Sequence, residues 1–274
     1  MAVFPQALDG GETTGPTTSS SAAGGVQACT ASASANTRGS YAEAVTSTAH
    51  DCDGFLVSIA GQTSNVRVLV DIAIGAAGSE DVIVDNIPWS ANQNLTVSFY
   101  VPYALPAGTR IAARCQSSTG SVVASVSVAL VKGGWRTPPA GATVVTWGAD
   151  TADSGGTALD AGAAANTFGT IVQLSASTAN DVKAIALQVA ANANATPTAG
   201  SFVVRVMVGG SGSEVPVVDV GFRAAATADS YGPCPDFWFP CAIPAGSRVS
   251  ARAMSTVTDA TDRVFDVVVF GMEC

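Results

Sequence analysis

Few residues in this chain could do covalent chemistry. There is one histidine, His50, so any Ser-His-Asp or Cys-His mechanism would have to run through it. It follows Thr48-Ala49 and precedes Asp51, ahead of an apolar run beginning at Phe55. No nucleophile elbow and no third orienting group accompany it, so the expectation is a solvent-exposed turn histidine. Asp51-Cys52-Asp53-Gly54 opens like a calcium loop but lacks the later oxygen ligands and the closing glutamate. Asp150 with Asp153, and Asp259 with Asp262, are thinner acidic pairs; at most one adventitious cation is expected among them. Glu80 and Glu214 would suit glycoside hydrolysis only if they flanked one cleft. They instead hold matching places in two copies of a repeat, where each is expected to pair with a nearby arginine or to close a Gly-Ser turn. No phosphate loop, dinucleotide fingerprint or paired-histidine metal helix is present. The expectation is a non-enzymatic protein without metal or cofactor.

The six cysteines, at 29, 52, 115, 234, 241 and 274, show no C-x-x-C spacing, which weakens zinc and thioredoxin-like readings. Two readings stand. The first is reduced, half-buried thiols, which a chain made in a cytoplasm favours. The second is cross-linking between subunits after release into an oxidising medium, with Cys29 and Cys274 as the candidates.

What must position these groups is a fold written twice. Asn36-Thr37-Arg38-Gly39 recurs as Asn166-Thr167-Phe168-Gly169, and Ser47-Thr48-Ala49 as Ser177-Thr178-Ala179. Gly78-Ser79-Glu80 recurs as Gly212-Ser213-Glu214, and Leu105-Pro106-Ala107-Gly108-Thr109-Arg110 as Ile243-Pro244-Ala245-Gly246-Ser247-Arg248. Order is kept and the offset grows only across polar, turn-rich stretches. The unit is far longer than a solenoid repeat, so the reading is a duplicated domain.

The period inside each copy is two. In Val66-Arg67-Val68-Leu69-Val70-Asp71-Ile72-Ala73-Ile74 the even positions are all Val or Ile, and Phe202, Val204, Val206 and Val208 repeat the face. This is a strand with one core side and one wet or partner-facing side. Val122 to Leu130 form another such face, and Phe265, Val267 and Val269 face inward at the end of the second copy. About eight strands per copy are expected, with turn residues between them and no helical stripe. The fold class is therefore all-β: two tandem antiparallel β-sandwiches, jelly-roll or Greek-key, related by internal duplication. The expected organisation is a flexible arm at 1–25, a sandwich at 26–131, a linker at 132–143 carrying Trp135 and Pro138-Pro139, and a second sandwich at 144–274.

Arg110 and Arg114 share an outward face, as do Arg248 and Arg252. Arg114 and Arg252 are each expected to be held by a carboxylate of their own domain or of a neighbouring subunit. Trp89, Tyr100, Tyr103, Tyr231, Trp238 and Phe239 gather near the loop before the Pro-Ala-Gly segment. They read as a core plug at one end of each sandwich, with a sugar-stacking platform or a subunit contact as the alternatives. Leu69, Ala73, Val123, Ala129, Val203 and Met207 are too apolar for a solvated outer face, so they mark a docking surface or are covered within the chain.

The 47% of apolar residues are mostly alanine and valine, charged residues make up 12%, and the formal net charge is −9. That balance excludes the basic footprint of a nucleic-acid binder and disfavours an anionic membrane surface. No apolar run is long enough to span a bilayer, and Met1–Pro5 lack the basic and apolar regions of a secretory signal. Synthesis in a host cytoplasm is expected.

The duplicated LPAGTRIAARCQSS and IPAGSRVSARAMST segments, set in an Ala-, Val-, Gly-, Ser- and Thr-rich chain nearly free of His and Lys, resemble virion accessory proteins of tailed bacteriophages. The resemblance implies a structural, oligomeric subunit on a head, collar or fibre, with no catalytic residues to transfer. Its expected partners are itself, with a trimer as the first guess, and other virion proteins; the alternative is a fibre module that binds a host receptor or surface glycan. The interaction candidates are Arg110, Arg114, Arg248, Arg252, Trp89, Trp238, Cys29 and Cys274.

Overall fold

A computed structural model describes residues 26–61, 66–90, 97–131, 141–191, 200–224, 238–257 and 264–274. The expected arm, most of the expected linker, Tyr231, Cys234 and the Asp259/Asp262 pair lie outside these residues.

Every regular element among the described residues is a β-strand. The first eight are β1 (Gln27–Thr30), β2 (Ala42–Val45), β3 (Gly54–Gly61), β4 (Arg67–Ile74), β5 (Asp81–Ser90), β6 (Val97–Val101), β7 (Ile111–Ser117) and β8 (Val123–Val131). They form two antiparallel sheets in the orders β1-β8-β3-β6 and β2-β7-β4-β5. The other ten are β9 (Thr143–Trp147), β10 (Ala149–Asp150), β11 (Gly155–Asp160), β12 (Val172–Ser175), β13 (Val182–Ala191), β14 (Gly200–Val208), β15 (Val215–Ala224), β16 (Phe239–Ile243), β17 (Val249–Ser255) and β18 (Val264–Glu273). Their main sheets run β11-β18-β13-β16 and β12-β17-β14-β15. Setting aside β9 and β10, the second pair of sheets repeats the strand order of the first. That interleaving, in which the first strand pairs with the eighth and the second with the seventh, is a jelly roll, one of the two topologies the sequence left open.

The alternating pattern selects strands and sets their facing. Phe55, Val57 and Ile59 on β3 and Val126 and Val128 on β8 are buried in the first core, while Leu56, Ser58, Ser127 and Ala129 between them are partly exposed. Phe202, Val204 and Val206 on β14 and Phe265, Val267 and Val269 on β18 fill the second core.

The repeated motifs are turn anchors. The buried Thr48 donates its hydroxyl to the Pro106 carbonyl at 2.8 Å, and the buried Thr178 does the same to Pro244 at 3.0 Å. Asp51 accepts the Ala107 amide at 2.7 Å, and Asp181 accepts that of Ala245 at 3.0 Å. Gly108 and Gly246 stand at φ +82° and +80°, a left-handed conformation that a Cβ would strain. Asn36 and Asn166, at φ 54° and 57°, donate their amides to Ser117 and Ser255 carbonyls at 2.7 and 2.6 Å. Asn tolerates this backbone better than most residues.

Strand β18 is buried on both faces. Phe265, Val267 and Val269 belong to the second core, whereas Val268, Phe270 and Met272 join the first core's cluster together with Ala184, Ala186 and Trp238. The outer face of the β11-β18-β13-β16 sheet thus packs against the first sandwich along β4, β5 and the β6 edge. Strand β9, alongside the C-terminal half of β18, widens that face. Leu69 and Ala73, outward on β4, are 1% and 0% exposed, and Met207 on β14 is 4% exposed. For these three, coverage within the chain replaces the docking-surface reading; Val123, Ala129 and Val203 stay partly exposed.

Candidate functional site

The densest set of buried polar groups lies at the junction of the two sandwiches. Arg67 enters β4 after an apolar residue and projects from the outward parity. Its guanidinium is bidentate on Asp153 and lies 3.5 Å from Asp266 of β18, whose side chain is 0% exposed. Around it, Gln116 donates to Thr151 O at 2.8 Å and Ser154 Oγ at 3.0 Å, and Ser154 in turn donates to Asn36 Oδ1 at 2.8 Å. Gln188 of β13 donates to Pro88 O at 2.9 Å, and Thr146 of β9 to Asp85 O at 2.9 Å. At the β6 edge the Trp238 indole donates to Tyr100 O at 2.8 Å, and Phe99 stands 4.6 Å from the Phe270 ring and 6.0 Å from that of Trp238.

Trp238 is therefore neither a plug at the end of its own sandwich nor a sugar platform, because its ring is covered by the other sandwich. Trp89 does stay inside the first sandwich, 2% exposed, with its ring over Gly61, where a Cβ would lie 1.9 Å from it. Sequence reasoning missed Arg67, Asp153, Gln188 and Asp266 as junction residues. The available signal was charge on largely apolar strands, at Arg67 in β4 and Asp266 in β18.

The outward arginines form a second layer. Asp71, 3% exposed, accepts Arg38 Nε at 2.7 Å and Arg114 Nε at 2.8 Å on one oxygen, and the Asn86 amide at 3.0 Å on the other. Arg114 also lies over the Tyr41 ring, 4.5 Å from its centroid. In the second sandwich the charge is inverted at one of these positions, where Arg205 takes the place of Asp71. Asp71 and Arg114 are cross-strand partners, and Arg205 and Arg252 are partners at the same places. Arg205 is bidentate on Asp219 at 2.7 and 2.6 Å, which holds that carboxyl below its usual range. Arg252 lies over the Phe168 ring, 4.5 Å from its centroid, so an aromatic face stands where a carboxylate partner was expected.

Arg110 binds Glu43 at 2.9 Å, Glu80 at 3.1 Å and Gly75 O at 3.0 Å, while Arg248 binds Gln173 at 2.9 Å and Glu214. Glu80 and Glu214 also accept the Gly78 and Gly212 amides, so each carboxylate both pairs and closes its turn. The two glutamates are anchored in separate sandwiches.

A groove of about 260 Å³ opens beside Arg38, Asp71 and Arg114, walled by Val82, Ile83, Asp85 and Val144. Arg38 and Arg114 are both paired with Asp71, and Asp85 accepts the Asn86 side-chain amide at 2.7 Å. His50 is exposed in its turn, and Asp51 is spent on Ala107. Among the described residues no group of three or more His, Cys, Asp or Glu side chains is placed to hold a metal ion.

Cys29 is fully buried. Its thiol donates to Ala113 O, and burial followed by the neighbouring Cys115 pushes it up to about 12. This removes Cys29 from the cross-linking pair that the sequence suggested, since a buried, protonated thiol neither meets a partner nor attacks a disulfide. Cys274 is exposed, and the five described cysteines are free thiols.

Among the described residues two sheet faces remain open. On the β1-β8-β3-β6 sheet the cross-strand pairs Leu56/Ala129, Ser58/Ser127 and Ala60/Ser125 are all partly exposed and uncharged. On the β12-β17-β14-β15 sheet the pair Val203/Met254 is partly exposed.

No protein-family model matches the sequence, and no curated protein matches it. Among solved structures, the chain is similar to PNGF-II, with a TM-score of 0.42, 7% identity and 86% of this chain covered. A second crystal form of PNGF-II gives 0.43 and 7% over 85% of this chain. The STIV MCP gives 0.32 and 8% over 91% of this chain and 96% of its own. The chain spans about 60% of the length of the PNGF-II chain that it matches.

Proposed function

We propose that this protein is a non-enzymatic structural subunit on the outer surface of a bacteriophage virion, as head decoration, collar or fibre. In this role it stabilises or decorates the particle through contacts with its own copies, a trimer being the first model, and with other virion proteins. It would be synthesised in the host cytoplasm and would act without a cofactor.

The observation that carries this reading is where the chain spends its large and charged side chains. Arg67, Asp153, Asp266, Trp238 and Phe270 lock two jelly rolls into one block. Arg38, Arg110, Arg114, Arg205, Arg248 and Arg252 are paired or stacked within their own sandwich. What faces outward on the β1-β8-β3-β6 sheet is uncharged and, apart from Leu56 and Tyr100, mostly small. Such a surface suits packing against another protein and offers little to a charged small-molecule substrate.

The test is location. Antibody labelling and mass spectrometry of purified particles should find the chain in fixed stoichiometry to the major head or tail proteins. A chain absent from particles, and found instead as a monomer that binds host oligosaccharide, would replace this reading with that of a receptor-binding module.

A further inference from the structure

The junction inside the chain is heterologous. It joins the outer β4-β5 side of the first sandwich to the outer β18-β13 side of the second, two different surfaces. Because both sandwiches have the same strand order, each also owns the surface that the other uses. The second sandwich therefore carries an unused copy of the first side, and the first an unused copy of the second.

The registers identify the matching positions. In the first sandwich Leu69/Gln116 is buried at 1% and 2% exposure; in the second, Val203/Met254 at the same place is partly exposed. In the second sandwich Ala186/Phe270 and Gln188/Val268 are buried; in the first, Leu56/Ala129 and Ser58/Ser127 are partly exposed. Arg67 and Asp266, the ion pair of the junction, correspond to Ser201 and Ser125.

We infer that a second copy of this chain docks head to tail, its β1-β8-β3-β6 face covering the β12-β17-β14-β15 face of the first and repeating the internal junction. This rests on the structural-subunit reading and names the surfaces through which copies meet. The argument is continuity with the existing junction. The same backbone surfaces are already complementary once within the chain. The unused end of the second sandwich carries the Arg205–Asp219 pair, Arg252 and Arg223, and the uncharged positions Leu56, Ser58, Ser127 and Ala129 of the first sandwich's open face set no like charge against them. A heterologous contact of this kind generates a ring where the rotation closes and a filament where it does not.

The test uses the full chain. Ala129→Arg places a charge on one open face and Val203→Arg on the other. Light scattering should show the wild type above its 27.2 kDa monomer mass, and each variant alone at that mass. Mixed one to one, the variants should form a pair and nothing larger, because each retains the face that the other lacks. Circular dichroism and melting establish that both are folded; Ser127→Arg and Met254→Arg replace either that is not. A wild type that stays monomeric, a variant that assembles alone, or a mixture that stays monomeric overturns the inference. Chains found on particles but failing the mixing test overturn only the head-to-tail contact. Chains passing it but absent from particles overturn only the virion reading.

Discussion

Arg67 of the first sandwich and Asp266 of the second stand 3.5 Å apart with side chains 8% and 0% exposed. They are 199 positions apart in sequence; Val268, Phe270 and Met272 share Asp266's face of β18, and Leu69, Asp71 and Ala73 share Arg67's face of β4. A buried ion pair contributes little over an apolar replacement, but loss of one partner leaves a charge in low dielectric.

Arg67→Ala should therefore destabilise the chain by about 3 kcal/mol or more. The double variant Arg67→Leu with Asp266→Leu should recover much of that loss. Urea unfolding of the two singles and the double measures the coupling; additive losses would mean the residues act independently.

Trp238→Ala removes a ring seated against Phe99 and a hydrogen bond to Tyr100 O. The expected cost is about 3 kcal/mol, concentrated at the junction. Calorimetry should then resolve two transitions where the wild type shows one. Trp238→Phe, which keeps a ring but not the indole N–H, should fall between them.

Thr48→Val and Thr178→Val should each cost about 1 kcal/mol, because each removes a buried hydroxyl that donates to a proline carbonyl and accepts a turn amide, while the carbonyl keeps its second donor, Thr109 or Ser247. The two losses should be similar, since the anchors are the same in both sandwiches. Thr→Ser at either place should retain most of the stability. Thermal melts of the four variants decide this.

The thiols set an alkaline limit. Burial pushes Cys29 up to about 12, and Cys52, Cys115 and Cys241 to about 11, from an ordinary value of 9.0. For Cys52 a backbone hydrogen bond at Leu105 acts in the opposite direction, as does one at Ala124 for Cys115. The folded chain keeps these protons to higher pH than the unfolded chain does. Their contribution is complete below about pH 9 and is lost as pH rises through 11 to 12. Unfolding free energy measured from pH 8 to 11 should fall. In the native protein at neutral pH, a thiol reagent should modify Cys274 first among the described cysteines; fast labelling of Cys29 would contradict its burial.

Apart from the additional β9 and β10, most of the strands, their inward faces and the turn chemistry were legible in the residues alone. These depend on neighbours along the chain: period-two alternation, glycine at a left-handed position, and a threonine or aspartate placed beside a proline turn. The sequence also displayed the likeness of the two halves, since equal turns need equal residues. Strand order is different, because β1 pairs with β8 through contacts that leave no local trace, and the choice between a jelly roll and another Greek key rests on that long-range pairing. The junction was hidden for the same reason. Parity assigns Asp266, Val268 and Phe270 to an outer face, and nothing within β18 says whether water or another sheet covers it. That outcome depends on the orientation of one sandwich against the other. It makes Trp238 a junction residue, buries Leu69, and leaves the equivalent Val203 open.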